Sequence, residues 1–237
     1  MDVPVVDLSA LSPDDFADDE LDLPYYLAHF QRFANHVVME GAHKGFIGIS
    51  VWRREKDNVP HNARIMENCL ALAFFYCTNR PWNMYHGHPA VRKRLEAALG
   101  FWCTIQNGDG RFSEYGDGKW NLAATAFATK FMGQTLTLLQ DGPEMDADLH
   151  QRVIAADRKA IVAVLTMEEL WAHGQNFTNQ YANVWGGSLA YLDLFPDEEI
   201  EGLLDRQLGK SMEAFQSPVG YFYERSGPDW GYFLGTH

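Results

Sequence analysis

The sequence is poor in cysteine, in basic residues and in long apolar runs. Of 237 residues only three are cysteine, too few for a disulfide framework, and Cys69, Cys77 and Cys103 lack zinc-ligand spacing. Cys69 and Cys77 lie eight apart in an apolar helical run and read as buried thiols. No stretch approaches the roughly 20 apolar residues that a membrane-spanning helix needs. Lys and Arg number 19 against 32 Asp and Glu, a formal charge of −13, which argues against nucleic acid or an anionic membrane as partner. An anionic substrate stays open, because a local pocket can override the net field. The segment MDVPVVDLSALSPDDFADDELDL lacks the basic start of a signal peptide. It reads as an acidic segment, 1–23, before a domain over 24–237. There is no P-loop, no GxGxxG after a strand, no GxSxG and no HExxH. No cofactor and no metal are therefore expected. His86 and His88 in NMYHGHP form a possible metal pair but fall on the end of the fold away from the expected site.

What the chain has is apolar and aromatic mass, 46% and 14% of residues, enough for a sizeable core. At about 150 residues per domain, the length fits one large domain. Strand signals are sparse, the best being Phe46 to Trp52. Helical periodicity dominates and predicts helices near 24–40, 61–78, 88–106, 120–141, 147–167, 179–195 and 197–216. Pro89 suits a first turn, Asp146 an N-cap, and Pro196 and Pro218 suit helix ends. Starts at 61, 120 and 179 recur every 59 residues, and starts at 88, 147 and 197 interleave with them. The first set is richer in aromatic and small residues, the second more charged and amphipathic, which predicts an inner and an outer layer. The expected fold is all-α, an (α/α) array of repeated antiparallel helical hairpins.

In such an array alternate loops share an end. The long loops 41–60, 107–119, 168–178 and 217–237 fall on one rim, where a site is expected. Two of them rhyme: Gly110, Phe112 and Glu114 in one, Gly220, Phe222 and Glu224 in the other. Either glutamate could simply cap a neighbouring helix. Around Glu224, however, crowd Tyr221, Tyr223, Trp230, Tyr232 and Phe233, and aromatics beside a carboxylate suit a sugar-binding cleft. His173, Gln175, Asn176, Asn179, Gln180 and Asn183 gather at the head of an inner helix. Asn176 or Thr178 is the expected N-cap, and the remaining amides could hold a carboxylate or sugar hydroxyls. Arg53, Arg54 and Lys56 form a basic cluster that reads as a solvated loop. Arg64 and Glu67 open an inner helix and could support the site.

Thr178-Asn179-Gln180 opening an inner helix, followed by GYFYERSGPDWGYFLGTH, resembles the polysaccharide lyases of the heparinase II/III-like superfamily. The resemblance spans roughly residues 60–237 and is specific over 173–183 and 220–237. It implies an (α/α) toroid, here incomplete, usually followed by an antiparallel β-sandwich domain, so that the chain is expected to be an N-terminal portion. It also implies β-elimination on an acidic, uronate-containing polysaccharide or oligosaccharide. Asn179 would neutralise the uronate carboxylate and Tyr232, in Trp230-Gly231-Tyr232, would be the catalytic tyrosine. Two positions depart from the family pattern: Gln180 stands where histidine is common, and Glu224 where related lyases place a second basic group.

Abstracting a proton beside a carboxylate builds charge on a group already anionic, so neutral or positive donors must face that carboxylate and a base must face the proton. Asn179, with Gln180 or Asn176, can supply donors. A tyrosine, with an ordinary pKa near 10, needs a donor-rich setting to act as base and serves more easily as acid. His237 or His173 could then be the base. The alternatives are a glycoside hydrolase using Glu114 and Glu224 and a carbohydrate-binding module without catalysis.

Overall fold

The computed structural model describes residues 1–49, 55–224 and 227. Its regular structure is α-helical: α1 (Leu23–Asn35), α2 (Ala63–Met66), α3 (Cys69–Cys77), α4 (Pro89–Thr104), α5 (Leu122–Gln140), α6 (Ala147–Thr166), α7 (Glu168–Gly174), α8 (Thr178–Tyr181), α9 (Asn183–Leu194) and α10 (Glu198–Phe215). Local signals set many ends. Pro89 opens α4 behind His88, whose ring accepts the Ala90 N–H at 3.1 Å, so this histidine caps a helix. Asp146 accepts the Leu149 N–H at 2.7 Å and caps α6. Asp197 caps α10, and α9 stops at Leu194 before Pro196.

The helices form two layers. The inner layer is α3, α5 and α9, with α5 packed on both of the others, while α4, α6 and α10 pack side by side outside it. Burial follows the composition of each set. On α5 the buried positions run almost round the helix, from Leu122 to Leu139, whereas α10 buries only Ile200, Leu204, Ser211 and Phe215. A helix wrapped by neighbours needs apolar residues on all sides, and an outer helix needs one stripe.

Several expectations are corrected. The first helix ends at Asn35 rather than near 40. The inner helix expected over 61–78 is two pieces, broken at Glu67 and Asn68, and that expected over 179–195 breaks at Ala182. Inner starts at 63, 122 and 178 keep the repeat. The segment 168–178, expected as loop, carries α7; Glu168 and Glu169 in its first turn favour a helix start. The run from Phe46 forms one antiparallel bridge, Val37 to Ile47, among the described residues. Cys77 is half-buried, unlike Cys69. Burial pushes the thiols of Cys77 and Cys103 up to about 11.

The acidic start is fastened to the helices. The Asn35 side chain pairs with both main-chain polar groups of Val3, at 2.9 and 3.0 Å. Phe16 stacks on Trp82, and Glu20 accepts from Arg80 and from the Trp82 ring.

Three loops, after α1, α4 and α10, share one turn. Gly45 donates to the Val38 carbonyl while Val38 donates to Phe46; Gly110 and Asn107 repeat this with Arg111; Gly220 and Ser217 repeat it with Tyr221. The glycines have φ of +97°, +89° and +96°, a region that residues with a Cβ avoid. Helix α6 is followed by α7 instead.

Candidate functional site

The ends of the array are distinct. At one, the short connections meet: Tyr76 Oη donates to the Glu144 carbonyl at 2.7 Å, and Gly87 faces Pro143. At the other, the loops lie on the heads of inner helices. Ala63 at the start of α2 donates to the Ser113 carbonyl at 2.9 Å, and Ser113 Oγ donates to His61. Asn121, which caps α5, donates to the Phe112 carbonyl at 3.1 Å. The segment 217–224 sits on the head of α8 through Thr178 and Asn179. The rhyming motifs are thus clasps, each with its aromatic packed inward: Phe112 stacks on Trp102, and Phe222 meets Trp185 at 5.3 Å.

The head of α8 differs from expectation. Phe177 is its N-cap and makes no side-chain cap bond. Neither Asn176 nor Thr178 caps it locally. Asn176 turns back to the Ala172 carbonyl at 3.2 Å, and exposed His173 stacks on Phe177 at 4.9 Å. The cap comes from Glu224, whose Oε1 accepts the Asn179 N–H at 2.7 Å and lies 3.0 Å from Thr178 Oγ. Asn183 Nδ2 donates to the Asn179 carbonyl at 2.6 Å. Gln180 is half-buried beside them.

Asn179 itself is 8% exposed, and its Oδ1 is buried with no hydrogen-bond partner among the described residues. Burying a polar atom without a partner costs about 1–3 kcal/mol, so its retention at the rim marks a group available to a ligand. Asn183 Oδ1 is likewise buried without a partner among the described residues. Trp230, Tyr232 and His237, and the basic pair Arg53 and Arg54, lie outside the described residues.

Glu114, 3% exposed, is on the clasp over α2, and Glu224 is on the clasp over α8. Helix α5 packs against both α2 and α8.

A groove that the sequence did not reveal lies between α3 and α5. It has a volume of about 610 Å³ and is lined mainly by apolar side chains, including Tyr26, Phe74, Phe131 and Leu138. Beside it, a smaller opening of about 290 Å³ is bordered by Arg64, Glu67, Asn68 and Phe131. Arg64 pairs with Glu67 and its guanidinium lies 3.8 Å over the Phe127 ring. A periodicity of half-buried aromatics at 127 and 131 was the available signal, but on a helix buried on most sides it is indistinguishable from core. Among the described residues no group of three or more His, Cys, Asp or Glu could hold a metal ion.

Compared with known proteins, the chain matches no family model, and no curated protein or solved structure is significantly similar to it.

Proposed function

We propose that the chain is part of an incomplete (α/α) toroid that cleaves a uronate-containing polysaccharide by β-elimination. The observation that carries this reading is Asn179, buried at the rim, held in place by its main chain, with its Oδ1 unpartnered among the described residues and its Nδ2 the group that would donate. A carboxamide so placed can donate to a substrate carboxylate and disperse the charge that builds as the neighbouring carbon loses its proton. The base takes that proton, the electron pair forms the carbon–carbon double bond, and the glycosidic oxygen leaves with a proton from an acid. On the family resemblance Tyr232 is the catalytic tyrosine; by its pKa it serves more easily as the acid, which leaves His237 or His173 as the base. Gln180, on the same rim, is the further donor of this reading, and Trp230 a wall beside Tyr232; Asn176, whose amide donates to the Ala172 carbonyl, is turned away.

The test is incubation with alginate, polygalacturonate, hyaluronan and heparan sulfate, followed in the near ultraviolet. A lyase product carries a conjugated double bond that absorbs there, and a hydrolase product does not. Reducing ends released without that absorbance would replace this reading with hydrolysis.

A further inference from the structure

A helix start is ordinarily capped by a side chain one to three residues upstream. At α8 that position is filled by Phe177, and Asn176 is turned away. The first N–H groups of α8 would then lie at a partly buried rim without an acceptor. Glu224, 45 residues away in sequence, takes the role through its 2.7 Å bond to the Asn179 N–H. The Thr178 hydroxyl proton has two acceptors in reach, Glu224 Oε1 at 3.0 Å and the Tyr223 carbonyl at 2.9 Å. On its other side, the Asn179 carbonyl accepts from Asn183 Nδ2. Asn179 is therefore gripped by both of its main-chain polar groups, while its side-chain Oδ1 is left without a partner among the described residues.

We infer that Glu224 is a positioning residue, whose carboxylate fixes the main chain of Asn179 and so aims the Asn179 carboxamide at a bound anionic sugar. The inference rests on the reading of Asn179 as the donor to a uronate carboxylate. It gives Glu224 a role that the hydrolase alternative does not: the carboxylate faces the protein backbone, and its acceptor atom matters more than its ability to transfer a proton. It also explains why a negative group is tolerated beside a site for anions. The Asn179 N–H donates to that oxygen, and the Thr178 hydroxyl lies within reach of it.

The variants Glu224→Gln and Glu224→Ala separate these roles, because glutamine keeps an acceptor oxygen of the same reach and alanine removes it. Two measurements are made on the same proteins: amide hydrogen exchange resolved at Asn179, and kcat and KM on the four polymers named above. The expected exchange result is at least a tenfold loss of Asn179 protection in Glu224→Ala, with Glu224→Gln near wild type and protection in α5 unchanged in both. The expected kinetic result is a kcat reduced by about 30- to 100-fold in Glu224→Ala with KM nearly constant, the scale of a misplaced reacting group. Glu224→Gln should stay within about threefold. Equal protection of Asn179 in all three proteins would overturn the inference. So would a glutamine variant as inactive as the alanine one, since that result makes the carboxylate itself a reacting group. If wild type turns over none of the polymers, the lyase reading fails by itself, and the exchange result alone decides whether Glu224 holds Asn179.

Discussion

Gly187 of α9 lies directly against the main chain of Thr129 of α5: a Cβ at position 187 would stand 2.7 Å from the Thr129 carbonyl carbon. One turn on, a Cβ at Gly133 of α5 would stand 3.0 Å from the Ala190 Cβ and 3.2 Å from the Gly187 carbonyl oxygen. Rising numbers on both helices show that they run parallel, and small residues at the contact let the backbones approach. Followed back by about one turn, the same register sets Asn183, at the start of α9, about level with Thr125 of α5, and α8 in turn packs against α5. The two inner-helix heads are thereby brought side by side at the rim.

Gly187→Ala should therefore destabilise the protein by about 1–3 kcal/mol, as overpacking does, despite the better helix propensity of alanine. Gly186→Ala is the matched control, one residue away with open space around its Cβ. It should stabilise by up to about 1 kcal/mol. Chemical denaturation of both variants checks the pair. A Gly187→Ala protein as stable as Gly186→Ala would mean that α5 and α9 are not in this close contact.

The two clasps predict another contrast. A Cβ at Gly110 would meet the Lys159 carbonyl at 2.5 Å, and φ there is +89°. Gly220 has the same backbone strain, φ +96°, but open space. Gly110→Ala should then cost more than Gly220→Ala, which carries only the roughly 1 kcal/mol of an unfavourable left-handed conformation. Thermal unfolding of the two variants measures the difference, and equal losses would show that the approach to α6 is unimportant.

Much of this fold could be read from the pattern of residues because its signals are local. The repeat of inner starts, Pro89, Asp146 and Pro196 each act within a turn of where they stand. What could not be read was decided at a distance. Nothing near Phe177 announces that its helix is capped from Glu224, and the kinship of Gly45 with Gly110 and Gly220 is visible only in their hydrogen bonds. The breaks at Glu67 and Ala182 are invisible to an apolar periodicity that continues through them. For the site, the rhyme of Glu114 and Glu224 was legible, but its meaning was not. A glycine–aromatic–glutamate clasp and a sugar-binding carboxylate call for the same residues, and only the Asn179 N–H at 2.7 Å separates them. Asp157, on an amphipathic helix, read as one more charged residue until its burial was known.

Asp157 is fully buried in α6, and neither carboxylate oxygen has a hydrogen-bond partner among the described residues. Burial holds its carboxyl well above the ordinary carboxylate range, which favours the protonated form in the fold. Below the unfolded pKa of about 4 both states carry the proton and nothing is lost. As pH rises from there, the unfolded state ionises first, and stability falls by about 1.4 kcal/mol per unit until the folded group ionises too. Asp157→Asn lacks this slope. The stability difference between variant and wild type should therefore grow in the variant's favour between pH 4.5 and 7, as read by urea denaturation at fixed ionic strength. A difference that stays constant with pH would show that Asp157 is ionised in the fold.

Asn179→Ala tests the site most directly, because it removes a side chain whose buried Oδ1 has no hydrogen-bond partner among the described residues. The main-chain bonds to Glu224 and Asn183 survive the change, and alanine is a better helix former than asparagine. Stability should thus change by less than about 1 kcal/mol, or increase as a partnerless buried oxygen is deleted. If the carboxamide neutralises a uronate carboxylate, turnover should drop by about a hundredfold or more, the scale of losing one preorganised donor. The loss belongs mainly in kcat, since charge on the carboxylate grows toward the transition state and the donor matters most there. Asn179→Asp sharpens the result. It is nearly isosteric but sets a negative charge against the substrate's own, so it should be at least as inactive as alanine and should weaken substrate binding as well. An aspartate variant with full activity would exclude carboxylate neutralisation at this position, whatever the alanine variant does.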